Sequence, residues 1–199
     1  MPQFPWKGSK RRNSSRQALA LNVRRRQKSI EARKAEHAEV TDPSLVLEAA
    51  LRFLEPRQRS ADEVRRRLLL RGYRADLVEG CLERLLELGI VDDAAFAQAW
   101  VESRDRARPR GERALRAELR RKGIDRQVVD DVMETRESEQ PAADADAARR
   151  VLERHASALA RVADPRARRQ RAYGLPARSG FDSDVALEAI GRLAESASD

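Results

Sequence analysis

From Asp42 onward an apolar residue recurs every three or four positions, and glycines break the pattern at intervals. This is the spacing of amphipathic helices. The clearest stretch runs from Arg59 to Arg104. Ser60 followed three residues later by Glu63 forms a capping box, and Ala61, Val64, Leu68 and Leu69 predict one helical stripe. Gly72 stands where a helix end needs left-handed backbone, with Tyr73 after it as an apolar clamp. Leu77, Cys81, Leu82, Leu85 and Leu86 predict a second helix, stopped by Gly89 and Ile90. Asp92 or Asp93 is placed to cap a third, which carries Phe96 and Trp100 four apart on one face.

The pattern then returns. Setting Gly123 on Gly72 brings Leu115 onto Val64, Leu119 onto Leu68, Ile124 onto Tyr73, Val128 onto Leu77, Val132 onto Cys81 and Met133 onto Leu82. A fainter third copy appears with Gly180 in the same place, where Phe181, Val185, Ala189 and Ile190 fall on Tyr73, Leu77, Cys81 and Leu82. A period of about fifty residues with three helices per unit predicts tandem repeats that bury one another's open faces. The expected fold is all-α: three tandem three-helix repeats in an elongated, curved, solenoid-like body. The expected segments are a basic tail over 1–41 and repeats over 42–91, 92–138 and 143–196.

The first helix of each repeat is expected at Ser44 to Leu54, with Asp42 as cap and Pro43 at the first helical position, then at Ala94 to Arg106 and Ala143 to Val162. Leu47, Ala50, Leu51 and Leu54 are the expected buried face of the first. Gly174 and Pro176 are expected to damage the middle helix of the third repeat.

Composition agrees with small cores in series. Of 199 residues 41% are hydrophobic but only 4% aromatic, while 37% are charged. No apolar run approaches the roughly 18 residues of a membrane span, and the N-terminus lacks the apolar stretch of a signal peptide. A soluble cytoplasmic protein is expected, and a single cysteine excludes an internal disulfide.

Charge is sorted along the chain. The net +8 resides in the tail, where residues 1–36 carry eleven basic side chains against Glu31 and Glu36, leaving 30 basic and 31 acidic residues in the remainder. Arg24, Arg25 and Arg26 are its candidate DNA contacts, through a salt-sensitive electrostatic tether. Within the body, the middle helices concentrate arginine: Arg65, Arg66, Arg67 and Arg71, then Arg113, Arg116, Arg120, Arg121 and Lys122, then Arg166, Arg168, Arg169 and Arg171. The last helices lean acidic, through Glu79, Glu83 and Glu87 and through Asp130, Asp131, Glu134 and Glu137. Repeats stacked in register would align the basic helices into one stripe suited to phosphates or an acidic protein surface. A helix-turn-helix reading fails on the same sorting, because the second helix would bring carboxylates to the groove.

Catalytic chemistry finds no purchase. His37 and His155 have no metal-ligand companions. Adjacent Asp92 and Asp93 after a glycine stop fit a helix cap better than an acid–base pair. Cys81 takes a core slot filled by Val132 and Ala189 in the other repeats. There is no glycine-rich phosphate loop. No cofactor and no enzymatic activity are expected.

Three runs carry a family resemblance: S-x-x-E-V-x-x-x-L-x-x-x-G-Y at Ser60 to Tyr73, L-x-x-L-G-I-V-D-D-x-x-F-A-x-x-W-V-x-S-R at Leu85 to Arg104, and G-x-x-x-L-x-x-E-L-x-x-K-G-I at Gly111 to Ile124. They resemble the RecX regulatory proteins of bacteria, well over Ser44 to Met133 and loosely over the last repeat. The resemblance implies a monomeric modulator of the RecA recombinase. It would lie in the groove of the RecA–DNA filament and inhibit strand exchange, ATP hydrolysis and coprotease activity. Arg65, Arg66, Arg67, Arg71, Arg113, Arg116, Arg120, Arg121, Lys122, Arg168, Arg169 and Arg171 are the candidate contacts with the partner or with DNA. The competing expectation is a non-specific architectural protein that grips single- or double-stranded DNA with the tail and the same arginines.

Overall fold

The computed structural model describes residues 27–140 and 142–196. Among them every regular element is helical. Helix α1 covers 27–38. It is followed by α2 (Pro43–Leu54), α3 (Ala61–Arg71), α4 (Ala75–Glu87), α5 (Asp93–Ala107), α6 (Glu112–Arg121), α7 (Arg126–Glu139), α8 (Ala143–Glu153), α9 (Ala156–Ala160), α10 (Pro165–Arg178) and α11 (Ser183–Ser196). The described chain forms two compact bodies. One runs up to Phe53 and includes Arg65–Arg84; the other comprises Leu54–Val64 and the residues from Leu85 onward.

Four glycines adopt positive φ: Gly72, Gly89, Gly123 and Gly180. Each ends a helix. At each of them the next residue reaches back to the carbonyl of a core residue: Tyr73 N–H to Leu68, Ile90 N–H to Leu85, Ile124 N–H to Leu119 and Phe181 N–H to Pro176, at 3.3, 3.0, 3.2 and 3.2 Å. These are the long bonds of Schellman caps. Pro176 therefore occupies the slot of Leu68 and Leu119, is fully buried like them, and lends the same carbonyl. The expected damage does not occur, and α10 runs through Gly174 and Pro176 without a break. The expected single helix from Ala143 to Val162 is instead two, α8 and α9, parted at Arg154 and His155.

The first body buries Val46, Ala50, Leu68, Tyr73, Val78, Cys81 and Leu82. The expected faces are shifted by about a residue. Val46 replaces Leu47 and Leu51, and Val78 is buried where Leu77 is only half-buried, while Leu69 is exposed. At roughly 100° per residue, a one-residue error swings a side chain from core to rim. Helix α1 is held on the Gly72 turn. His37 stacks on Tyr73 with ring centroids 4.3 Å apart, its Nδ1–H donates to the Arg71 carbonyl at 2.7 Å, and a Cβ on Gly72 would collide with the Lys34 backbone.

The second body holds two cores. Phe96, Ala97, Val101, Leu115, Leu119, Ile124, Val129 and Met133 form one, with Trp100, Val128 and Val132 packed against it. Ala147, Ala148, Val151, Leu152, Leu159, Ala172, Phe181 and Ala189 form the other, where α8 packs on α10 and α11.

Within the second body one joint occurs twice. The Ala61 N–H at the start of α3 donates to Asp93 Oδ1 at 2.9 Å. Fifty-one residues further on in both partners, the Glu112 N–H at the start of α6 donates to Asp144 Oδ2 at 3.0 Å. In each case an aspartate of the following first helix caps the preceding middle helix. The turns interlock beside it. Ser60 Oγ–H donates to the Lys122 carbonyl at 2.6 Å, and the Gly111 N–H to the Ser179 carbonyl at 3.1 Å. A Cβ on Gly123 would strike the Asp62 side chain, and one on Gly180 the Ala114 side chain. Left-handed φ and close approach together demand glycine at both positions. Asp144→Ala removes this cap of α6 together with a 2.7 Å bond from Arg136, with an expected loss of at least about 0.5–2 kcal/mol; the urea midpoint of the full chain reads it, and an unchanged midpoint would contradict the joint.

Candidate partner-binding surface

The joints of the second body link the ends of successive helices. The end of α10 meets the start of α6 through Ser179 and Gly180, and the end of α6 meets the start of α3 through Lys122 and Gly123. Within the second body α10 thus leads directly into α6, and α6 into the first residues of α3.

Their cations divide into two groups. Arg65 is held bidentately by Glu79 at 2.8 and 2.9 Å, and that bond keeps the Glu79 carboxyl below its ordinary range. Arg116 bonds to Glu112 at 2.6 Å and to Asp130. Lys122 Nζ donates to Glu63 at 2.7 Å and lies 4.5 Å from the centroid of the Trp100 ring. These three are half-buried and engaged within the chain. Arg66, Arg67, Arg71, Arg113, Arg120, Arg121, Arg168, Arg169 and Arg171 are exposed. Of these, Arg168 donates to the Val162 carbonyl at 3.0 Å. Arg67 lies over the Phe53 ring at 5.3 Å. Arg113, Arg120, Arg169 and Arg171 make no ion pair among the described residues. Arg24, Arg25 and Arg26 lie outside the described residues.

Trp100 joins this surface in a way the spacing did not reveal. Lys122 and the Arg104 guanidinium both lie over its ring, the latter 4.3 Å from its centroid, and its Nε1–H donates to Glu118 at 2.9 Å. Cation–π attraction operates with both cations. Burial works to raise the Glu118 pKa, but bonds from Arg104 and Trp100 outweigh it and hold the carboxyl below its ordinary range. Glu63 behaves likewise: desolvation opposes ionisation and the Lys122 ammonium overcomes it.

The capping expectations divide as well. Asp92 caps α5 by accepting from the Ala95 N–H at 2.9 Å, so Asp93 is free to serve α3. Ser60 Oγ accepts from the Glu63 N–H at 3.2 Å, but the Glu63 carboxylate turns to Lys122, and only half of the capping box forms. Cys81 is buried, and desolvation raises its pKa, the opposite of what a nucleophile requires. Among the described residues no group of acidic, histidine and cysteine side chains is placed to hold a metal ion. No described helix is long and apolar enough to cross a membrane.

The largest departure from expectation is Arg136. Its guanidinium, 10% exposed, lies between Asp105 and Asp144. It donates bidentately to Asp105 at 2.9 and 3.0 Å and to Asp144 at 2.7 Å. Burial alone would depress it, yet the two carboxylates hold its pKa above the ordinary value. Arg150 of α8 and Arg154 just after it reach the last carbonyls of α5, those of Asp105 and Ala107, both at 3.1 Å.

Comparison with known proteins follows these divisions. A family model for the first three-helix domain of RecX matches residues 47–85 and one for the second matches 92–133. A regulatory protein RecX from Mycobacterium avium is 35% identical over 149 residues, covering 75% of this chain and 83% of that protein. Another, from Mycolicibacterium vanbaalenii, is 46% identical over a shorter stretch of 80 residues, 40% of this chain; that stretch spans under half of the relative, 44%. The crystal structure of RecX from Lactobacillus salivarius superposes with a TM-score of 0.62 over 76% of this chain and 96% of that one; at 20% identity this shows a common fold. Tandem three-helix domains, their sequence and their fold agree: the chain belongs to the RecX family and is a regulatory protein, not an enzyme.

Proposed function

We propose that this regulator binds the RecA–DNA filament through its middle helices and restrains RecA's recombinase, ATPase and coprotease activities. The reading rests chiefly on the direct succession of α10 and α6 within the second body, which strings exposed arginines along two consecutive helices. A filament repeats its own surface at each protomer, so a string of modest contacts gains by avidity what each lacks alone. The protein acts as a monomer, with a basic tail over 1–41 followed by repeats at 42–91, 92–138 and 143–196. The tail adds a salt-sensitive pull toward nucleic acid.

The deciding measurement compares binding of the purified full chain to bare single-stranded DNA and to ATP-bound RecA filaments across a salt series. The expected result is tighter binding to the filament that persists at salt concentrations where binding to bare DNA is lost. Equal affinity for both, with the same steep salt slope, would replace this reading with the architectural one, in which the exposed arginines grip phosphates directly.

A further inference from the structure

The resemblance and the family models begin beyond helix α1, which so far has only its share in the basic charge of residues 1–41. Together with α3 it walls a groove of about 270 Å³. From α1 come Ile30, Arg33, Lys34 and His37, and from α3 Arg67, Leu70 and Arg71. Four cations and no carboxylate line it. Arg33 reaches only the Ser29 hydroxyl, at 3.4 Å, Arg67 faces the Phe53 ring, and none of the four makes an ion pair among the described residues. Between them lie two large aliphatic side chains in contact with water, Ile30 at 48% and Leu70 at 67% exposure.

We infer that this groove binds an acidic protein segment that carries aliphatic side chains, such as an amphipathic helix with leucines on one face and carboxylates beside them. Each part of the groove has a use in such a complex. The cations complement the carboxylates, and Ile30 and Leu70 supply the apolar anchors that helix-in-groove recognition requires. A nucleic acid would use the cations and waste the rest. Its phosphates gain nothing from exposed aliphatic carbon, and single strands seek aromatic faces on which to stack. The rings beside the groove are already engaged, His37 stacked on the buried Tyr73 and Phe53 lying against Arg67.

The groove is a finished surface. His37 pins α1 through its ring stack and its bond to the Arg71 carbonyl, and the absent Cβ of Gly72 lets the α1 backbone come close. Binding then orders the partner alone, which lowers the entropic cost. The partner need not be the recombinase, and the test uses no filament, so its failure and the failure of the proposed function are separate outcomes.

The probe is a fluorescein-labelled 15-residue peptide with leucine at every third or fourth position and glutamate elsewhere. A second peptide replaces each leucine with serine, and an unlabelled oligothymidylate serves as competitor. Titration of the full chain, followed by anisotropy, is expected to show the leucine peptide binding at least about tenfold more tightly than the serine peptide, the equivalent of one well-buried side chain. Ile30→Ser with Leu70→Ser should reduce it to the serine level, and Lys34→Glu with Arg71→Glu should weaken both peptides by about tenfold or more. Both aliphatic side chains are exposed, so these variants keep their helical circular dichroism. Equal binding of the two peptides, no change in either double variant, or displacement of the leucine peptide by the oligonucleotide at equal concentration would each overturn the inference.

Discussion

Arg136→Met is expected to cost about 3–5 kcal/mol of folding stability, the range for removing one partner of a buried ion pair. Methionine fills the space of the aliphatic stem and leaves the packing near intact. What it removes is the counter-charge for Asp105, whose side chain is 17% exposed. Asp144 is less affected, because its other oxygen still caps the Glu112 N–H. The register of the repeats supplies a second arm to the test. Positions 105 and 136 correspond, fifty-one residues earlier, to Leu54 and Leu85, an aliphatic pair with Leu85 fully buried. The double variant Asp105→Leu, Arg136→Leu restores that arrangement and is expected to recover most of the loss, since well-packed apolar groups replace buried ion pairs at little or no cost. Urea unfolding followed by circular dichroism checks both variants through the midpoint at constant slope. If Arg136→Met unfolds with the parent, or if the double variant is no better than the single, the charge is not what holds this site together.

Reversal of four exposed cations on consecutive helices, Arg113, Arg120, Arg169 and Arg171, each to glutamate, is expected to weaken binding to RecA filaments by at least about a hundredfold at moderate salt, because each reversal replaces attraction with repulsion. Helicity should survive, as none of the four makes an ion pair among the described residues. The control is chosen from arginines of the same helix class that are already engaged. Arg65→Gln and Arg116→Gln interrupt bonds to Glu79, Glu112 and Asp130, so they should move the unfolding midpoint slightly and filament affinity little. Equal losses from both sets would mean that affinity follows net charge alone. No loss from the fourfold reversal would remove the middle helices from the interface.

Local signals in the sequence found the skeleton of this fold, and they failed where partners are distant. Gly72, Gly123 and Gly180 were legible because a left-handed helix stop leaves few choices of residue, and the apolar residue after each confirmed the pattern. Asp42 and Asp92 were legible as caps because the amides that donate to them lie within three residues. Asp93 and Asp144 do the same chemistry on amides thirty-two residues away, and nothing near them in sequence announces it. Pro176 misled because proline is judged by its local cost, whereas here its ring fills a core slot and its carbonyl caps a turn. Arg136 was invisible for the opposite reason. A charged residue at a position where the other repeat carries leucine looks like an interruption of the stripe, until Asp105 and Asp144 are seen beside it. The candidate surface was legible as composition, helix by helix, but the division between engaged and exposed arginines depended on which carboxylates the fold brings near.

The paired aspartate and glycine contacts bear on how such a chain comes to have the length it has. A core that closes on itself fixes the number of its parts, because every added piece must displace another. Here the start of one module is completed by the next through an aspartate cap and a bond to a turn carbonyl at both junctions. Each unit carries a donor end and an acceptor end. Duplication of a segment of fifty-one residues would therefore create one more junction of a kind the molecule already has, so that the number of modules is adjustable without inventing a new interior.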